Sequence, residues 1–145
     1  MKAISLWQPW ASLWCSEAKI HETRHWPTSH RGWLLVHAAK RRIDDHGGTR
    51  LDDICDGLWG HHWGMEVPRG ALVGMVNLVG CVSTDTMPIG HQSTEDYECG
   101  DFSHGRYAWR RAAFHVFRDP IPYRGQQGMF EVPDNLIAKS ALTSA

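Results

Sequence analysis

The hydrophobic pattern at the start of the chain predicts a short helix followed directly by a strand. Trp10, Leu13 and Trp14 recur at helical spacing after Pro9, a residue that is favoured in the first turn of a helix. The period then changes, and Ile20, Glu22, Arg24 and Trp26 are expected to point to one face of a strand while Lys19, His21, Thr23 and His25 point to the other. A helix is therefore expected to pass into a strand with almost no linker between them.

Apolar runs farther along the chain predict four more strands, at residues 33–39, 71–82, 107–117 and 128–132. Residues 33–39 are too uniformly apolar for an edge strand and are expected to be buried on both faces. Gly74 and Gly80 interrupt the second run, and a glycine inside a strand indicates a bulge or a sharp bend. A long bent strand of this kind suits a small closed barrel.

One further helix is predicted between these strands, and the remaining polar segments are predicted to be loops. The helix has Thr49 as its cap and Leu51, Ile54, Cys55 and Leu58 on its buried face. Gly57 and Gly60 are expected to end it, and residues 60–64 to form a loop. Residues 83–106 are predicted to form a long irregular loop in which most carboxylates are solvated. Residues 120–122 are predicted to start a turn, and Pro133 is predicted to open a short helix or tail.

Composition limits the classes of function that suit this chain. Its 145 residues are 42% hydrophobic and 21% charged, which predicts one globular domain over residues 1–145. The formal net charge of −1 lacks the basic excess by which proteins grip long nucleic acids. The four cysteines form no Cys-x-x-Cys pair, and no apolar run is long enough to cross a membrane. We therefore expect a cytoplasmic protein with free thiols that acts as a monomer or homodimer.

Four chemically active side chains are crowded together where the predicted helix meets the strand. They are Lys19, Glu22, Thr23 and Arg24. A charged run of this kind is most often a solvated edge strand. Here the flanking residues are apolar and rich in tryptophan, so we expect the strand to lie against a core. Ionisable groups held against apolar surface are frequent in functional sites, which makes this run the leading candidate.

The motifs around this run resemble those of the ASCH domain, a family of the PUA-like superfamily. They are Trp7-Gln-Pro-Trp-Ala-Ser-Leu, Lys19-x-x-Glu-Thr-Arg-x-Trp-Pro-Thr, Arg31-Gly-x-Leu-Leu-Val-His-Ala-Ala and the closing Gly128-Met-Phe-Glu-Val. The family pattern Gly-x-Lys-x-x-Glu-x-Arg is met at Lys19, Glu22 and Arg24, whereas Glu17 stands at its glycine. The resemblance implies an α+β fold, a small PUA-like β-barrel with flanking helices, and a cleft beside the first helix.

The resemblance also implies a hydrolytic function. Small bacterial ASCH proteins remove acyl groups from N4 of cytidine with a lysine, a threonine and a glutamate. Their lysine falls on Lys19 and their threonine on Glu22, so Thr23 matches only after a shift of one residue. Their glutamate falls near Glu95, with Glu98 as the second choice. Lys19 would then be the base or oxyanion stabiliser, Thr23 or water the nucleophile, and Glu22 or Glu95 the proton carrier.

The residues expected to bind substrate around this group are Trp7, Gln8, Arg24, Trp26 and His37. Trp7 and Trp26 offer flat faces on which a base can stack. The ligand would be a small nucleoside-like molecule, and neither a metal nor another cofactor is expected. The alternative is a module that binds single-stranded RNA, with or without ribonuclease activity, as the resemblance to the ASCH domain of the activating signal cointegrator implies. The basic run Lys40-Arg-Arg42 favours that alternative.

Overall fold

The computed structural model describes residues 1–87 and 93–137 and has a mixed six-stranded sheet with four short helices. The strands are β1 (Lys2–Leu6), β2 (His21–Arg24), β3 (Gly32–Ala38), β4 (Ala71–Ser83), β5 (Tyr107–Pro122) and β6 (Met129–Glu131). The helices are α1 (Trp10–Trp14), α2 (Arg50–Trp59), α3 (Trp63–Glu66) and α4 (Thr94–Glu98). None of these helices, nor any other in the described ranges, has the length and hydropathy of a membrane span.

The strands form one curled sheet in the order β2-β5-β4-β3-β1-β6. β1 and β3 are parallel, and the other neighbouring pairs are antiparallel. β2 and β6 therefore lie at the two edges, and the sheet bends into half a barrel between them. The predicted α+β class with a small barrel-like sheet and flanking helices is confirmed.

Two long strands, β4 and β5, supply the bend of the sheet. Their pairing shifts register around Gly74 and again before Gly80, as the sequence predicts. At Gly74 an added Cβ would lie 2.3 Å from the carbonyl oxygen of His115 and 2.9 Å from Sγ of Cys15, so only glycine fits that close approach. β5 runs through Pro120 to Pro122, and the turn predicted there is wrong. Pro120 lies within the register shift between Leu72 and Gly74, and bulges of this kind are where a strand tolerates proline.

The core fills both faces of the sheet. On β3, Leu34 and Val36 belong to a cluster with Trp14 and Trp109, whereas Leu35 points into a second cluster. The expectation that this strand is buried on both faces is confirmed. A third cluster lies beneath α1 and α2 and contains Leu13, Cys55, Trp63 and other buried residues.

The second helix follows its predicted start but departs from its predicted end. Thr49 caps α2 and accepts a hydrogen bond from Asp52 N, as predicted. Gly57 lies within the helix, which ends only before Gly60. Leu58 is 42% exposed, so its placement on the buried face is wrong.

Two segments predicted to be loops contain helical turns. Trp63–Glu66 is α3, with the Trp63 side chain buried, so the loop expected over residues 60–64 is wrong in part. Within residues 83–106, Thr84–Thr86 forms a 3₁₀ turn and Thr94–Glu98 forms α4. Residues 88–92 and 138–145 lie outside the described residues, and parts of the predicted loop and tail fall there.

Candidate functional site

A cleft of about 510 Å³ opens beside β1, α1 and β2, and the segment that follows α4 closes its other side. Its lining residues are Ser5, Leu6, Trp7, Trp10, Lys19, Glu22, Thr23, Arg24, His25, Leu51, Glu98, Cys99, Gly100, Asp101 and Arg106. This volume lies within the range of about 300–1,000 Å³ that small-molecule sites usually have. All four residues of the crowded run predicted from the sequence contribute to its wall.

Lys19 and Glu22 form a buried ion pair in this cleft. Lys19 is 1% exposed, and its Nζ lies 3.2 Å from Glu22 Oε1. Lys19 Nζ also donates a hydrogen bond of 2.7 Å to the carbonyl oxygen of Cys99. Glu22 Oε2 lies 3.4 Å from Nη1 of Arg24, on the same face of β2. The carboxylate is thus held between two cations, and the ammonium keeps the partners that a buried charge needs.

Buried Arg111 fixes the chain turn that leads into Lys19. Its Nε donates to the carbonyl oxygens of Trp14 and Lys19, at 3.1 and 3.2 Å. Its Nη2 donates to Lys19 O at 2.9 Å and also to Ser16 O. Burial lowers the pKa of the Arg111 guanidinium below its usual value. One side chain on β5 therefore holds the segment between α1 and β2 that carries Lys19.

Asp96 fixes the opposite wall. Its Oδ1 accepts hydrogen bonds from the backbone N–H groups of Ile20 and His21, at 2.7 and 2.9 Å. Its Oδ2 lies 2.6 Å from Nδ1 of His21. Burial by itself would raise the pKa of Asp96, but the hydrogen bonds from His21 and Ile20 outweigh it and lower the pKa. Asp96 thereby ties α4 to β2 and brings the Cys99 carbonyl to Lys19.

The Thr23 hydroxyl is directed towards the segment that precedes β5. Thr23 Oγ1 accepts long hydrogen bonds from Asp101 N at 3.3 Å and from Nε of Arg106 at 3.4 Å. Nη2 of Arg106 donates to the Thr23 carbonyl at 2.8 Å. Asp101 Oδ2 lies 3.6 Å from Arg106 Nε. Thr23 therefore lines the same cleft as Lys19 and Glu22 but takes its contacts from another group of residues.

An aromatic rim borders the cleft. Trp7 is 53% exposed, and the guanidinium of Arg41 lies 3.8 Å from the centroid of its ring. Trp10 is partly buried and meets His46 edge to face, with the ring centroids 5.4 Å apart. One face of Trp7 is thus covered by a cation. The predicted stacking residue lies at the mouth of the cleft rather than on its floor.

Two predicted binding residues lie outside the cleft wall because they brace the fold. Gln8 is buried, accepts a hydrogen bond from Ser12 N and donates to the Pro68 carbonyl. Trp26 packs edge to face on Trp109, with the ring centroids 4.7 Å apart. Neither side chain is among those that line the cleft.

Two other predicted residues also fall elsewhere. Glu95 is exposed in the first turn of α4 and does not line the cleft, whereas Glu98, the second choice, does. His37 lines a different cavity, where its Nδ1 contacts Ser5 Oγ at 2.9 Å and its Nε2 contacts the Tyr123 carbonyl at 2.7 Å. The catalytic roles suggested for Glu22 and Thr23 stay predictions.

The sequence prediction missed several residues that build this site. Arg106 and Trp10 line the cleft, and Asp96 and Arg111 hold its walls. Arg106 had a detectable signal, since it is the only Lys or Arg in the acidic segment 83–106. Asp96 and Arg111 had none, because their role depends on contacts with residues more than seventy positions away. Within residues 1–87 and 93–137, no group of three His, Cys, Asp or Glu side chains is arranged to hold a metal.

The sheet, the flanking helices and the cleft beside α1 define a protein of the PUA-like fold. The chain belongs to the ASCH domain family, whose sequence profile matches residues 4–120. It is 35% identical over 82 residues to activating signal cointegrator 1 of Mus musculus and 34% identical to that of Homo sapiens. Each match covers 55% of this chain but only 14% of the cointegrator.

Solved structures show the same fold. The crystal structure of ASCH from Zymomonas mobilis superposes with a TM-score of 0.55 at 17% identity, covering 93% of this chain and 89% of that one. A mutant form of the same bacterial protein gives a TM-score of 0.54 at 15% identity, covering 93% and 91%. At this level of identity the likeness supports the fold alone.

Proposed function

We propose that this protein hydrolyses the amide that joins an acyl group to N4 of a cytidine-type nucleoside. The observation that carries the proposal is the buried pair of Lys19 and Glu22 on the wall of a cleft of about 510 Å³. Amide hydrolysis needs a cation for the oxyanion and a group that moves a proton from nucleophile to leaving amine. The pair supplies both at one position.

In the proposed reaction the nucleophile is water. Its oxygen attacks the acyl carbon while the Glu22 carboxylate takes one of its protons. The Lys19 ammonium stabilises the oxyanion of the tetrahedral intermediate. The bond between the acyl carbon and N4 then breaks, and the proton on Glu22 passes to the departing N4. The products are a carboxylic acid and the free amino base. Glu22 ends as a carboxylate, as it began.

Water is preferred to Thr23 as nucleophile because of the contacts that the threonine makes. Its hydroxyl accepts from Asp101 N and Arg106 Nε, whereas Glu22 Oε1 lies against Lys19 Nζ. A threonine nucleophile needs a base within hydrogen-bonding reach. Thr23→Val tests the choice, because it removes the hydroxyl and keeps the shape. We expect Thr23→Val to retain turnover if water attacks and to abolish it if Thr23 does.

The charge of the cleft suits a neutral ligand. The described lining residues include three carboxylates (Glu22, Glu98 and Asp101) and three cations (Lys19, Arg24 and Arg106). A nucleoside carries no net charge and has several polar edges, so it can use both signs. The exposed Trp7 and the neighbouring Trp10 give it an apolar border.

The experiment incubates the protein with N4-acetylcytidine and follows its conversion to cytidine by ultraviolet absorbance. Lys19→Met should lower kcat about 10²–10³-fold, as loss of an oxyanion partner usually does. Glu22→Gln should lower it about 10²–10⁴-fold because the proton carrier is gone. The matched control is Lys2→Met, since Lys2 forms an exposed ion pair with Glu131 at 3.0 Å. Conversion at the wild-type rate by folded Lys19→Met would contradict the assignment.

A second function is favoured by one observation on the rim. Arg41 stacks on Trp7 at 3.8 Å, and Lys40 and Arg42 beside it are exposed. Aromatic and basic side chains in this arrangement suit single-stranded RNA. RNA binding of this kind should weaken steeply as salt rises, and Arg41→Ala should weaken it further. Absence of binding to a single-stranded oligonucleotide at low salt would exclude this second function.

A further inference from the structure

A second cavity, of about 860 Å³, lies beside the segment that joins β5 to β6. Three of its lining side chains, Lys40, Arg69 and Arg124, are basic and exposed. Among the described residues, its lining contains no Asp or Glu. The three cations come from three separated parts of the chain, so the fold brings them together.

The charge of this second cavity contrasts with that of the cleft. In the part of the chain that the structure describes, the cleft lining has three cations and three carboxylates, whereas the lining of the second cavity has three cations and no carboxylate. Within residues 1–87 and 93–137, none of Lys40, Arg69 or Arg124 has an ion pair with an acidic side chain. The whole chain has a net charge of −1, so this local excess is not a consequence of composition. Like charges in one cavity repel one another, and a bound anion would relieve that repulsion.

The floor of the second cavity is built from an ordered hydrogen-bond chain. The Tyr123 carbonyl accepts from His37 Nε2 at 2.7 Å, which leaves Nδ1 to accept from the Ser5 hydroxyl at 2.9 Å. Burial lowers the pKa of His37, which favours this neutral ring. At Gly125 an added Cβ would lie 2.7 Å from His37 Cε1 and 3.1 Å from Ser5 Oγ. The backbone next to Arg124 therefore packs closely against the side chains of His37 and Ser5.

We propose that this second cavity binds the phosphate group of a phosphate ester through Lys40, Arg69 and Arg124. A carboxylate carries one negative charge, whereas a phosphomonoester carries about two and an oligonucleotide carries one at each linkage, so either phosphate ester balances more of the three cations. A phosphate group offers more oxygens, and the two arginines can each grip it with a pair of N–H donors. The side chains of Gln126 and Gln127, which also line the cavity, add amide donors for the rest of the ester. Among the described lining residues this site shares only Ser5 with the cleft, and binding there extends beyond the proposed hydrolysis.

Two kinds of phosphate ester share this chemistry, and the experiment separates them. One arm titrates the full-length, ¹⁵N-labelled protein with ribose 5-phosphate, a terminal phosphomonoester, and with ribose as its uncharged control. The other arm uses a uridine tetranucleotide without terminal phosphates, which offers only phosphodiesters. We expect saturable shifts of the backbone amides of Gly125, Gln126 and Gln127 in one of these arms. The arm that responds identifies the source of the phosphate.

The matched variants test whether the three cations are responsible. Lys40→Ala/Arg69→Ala/Arg124→Ala removes the proposed site, whereas Arg50→Ala/Arg110→Ala/Arg118→Ala removes the same charge from exposed arginines outside this cavity. Loss of a charged hydrogen bond weakens binding about tenfold or more, so the first variant should lose at least that factor. The second variant should bind like the wild type. Shifts in neither arm, or equal binding by the two variants, would overturn the proposal.

Discussion

Asp96 Oδ2 lies 2.6 Å from His21 Nδ1, and neither side chain is more than 2% exposed. The same carboxylate accepts from the N–H groups of Ile20 and His21. This contact joins α4, which follows the segment at residues 88–92, to the edge strand β2. It is the reason that the Cys99 carbonyl, just beyond α4, reaches Lys19.

Asp96→Ala should therefore destabilise the fold strongly. The change removes the buried carboxylate that accepts from the backbone N–H groups of Ile20 and His21 and contacts the His21 ring, and each buried hydrogen bond lost costs about 1–3 kcal/mol. We expect the free energy of unfolding, measured with urea, to fall by roughly 3 kcal/mol or more. Glu95→Ala is the control, because Glu95 is its exposed neighbour, and it should change stability by less than about 0.5 kcal/mol. Equal losses in the two variants would show that Asp96 does not hold α4 in place.

The role of Asp96 also shows where sequence reasoning reached its limit. The patterns of Ile20–Trp26 and of the later apolar strands depend on neighbours along the chain, so they predicted the strands. Asp96 stands among four other acidic residues in a polar segment, and its local sequence is that of a solvated loop. Its burial comes from hydrogen bonds to residues 20 and 21, which no local pattern records. Arg111 was hidden in the same way, as a charge within an otherwise predicted strand.

The crowded run at the start of β2 was more predictable because its apolar flanks indicated burial. Lys19 and Glu22 are buried, and both line the cleft. The residues expected to surround them were harder to place, since Trp26 lies beyond the end of β2, His37 lies on β3, and neither side chain lines the cleft. Trp26 packs on Trp109, and His37 reaches the second cavity. Local spacing predicted the strand of His37, but it could not predict the curvature of the sheet, which decides which surfaces meet.

The buried pair of Lys19 and Glu22 should show strong energetic coupling. Removing one partner leaves a buried charge uncompensated, so Lys19→Met or Glu22→Leu alone should cost about 3–5 kcal/mol of unfolding free energy. The double variant should cost much less than the sum of the two. The measurement is a double-mutant cycle by urea unfolding.

An exposed ion pair serves as the control for this cycle. Lys2 Nζ lies 3.0 Å from Glu131 Oε1, and the two side chains are 47% and 65% exposed. Because water screens such pairs, the coupling of Lys2→Met with Glu131→Leu should stay below about 1 kcal/mol. Similar coupling energies for the two pairs would mean that the burial of Lys19 contributes nothing to its interaction with Glu22.

One thiol of the four should react far faster than the others. Burial raises the pKa of Cys15 and of Cys55 to about 12, and that of Cys99 to about 11. Cys81 alone among the four is partly exposed. Since the thiolate is the reactive form, a disulfide reagent at about pH 8 should modify one thiol quickly and the rest only after unfolding.

Two serine variants test this assignment of thiol reactivity. Cys81→Ser should abolish the fast phase, whereas Cys55→Ser should preserve it. The number of modified thiols is read from the absorbance of the released thiolate, before and after denaturant is added. A fast phase that survives Cys81→Ser would show that one of the buried cysteines is accessible in the folded protein.

The hydrogen-bond chain at His37 makes stability depend on pH in a defined direction. Burial lowers the pKa of His37, and its hydrogen bond to the Tyr123 carbonyl offsets only part of that effect. The unfolded chain therefore takes up this proton at a higher pH than the folded protein does. Below the ordinary histidine pKa of about 6.5, the unfolded state binds more protons than the folded state. The free energy of unfolding therefore decreases as the pH is lowered. The loss continues until the pH reaches the lower pKa of the folded state.

His37→Gln should remove this component, because glutamine does not titrate and can still donate to the Tyr123 carbonyl. Urea unfolding between about pH 7 and about pH 5 should show a smaller loss of stability for His37→Gln than for the wild type. The exposed His62→Gln is the control and should retain the wild-type slope. Since His37→Gln keeps every other titratable group, the difference between its slope and the wild-type slope gives the contribution of His37. Identical slopes for wild type and His37→Gln would mean that His37 binds its proton equally in both states, and the neutral ring assigned to the floor of the second cavity would be wrong.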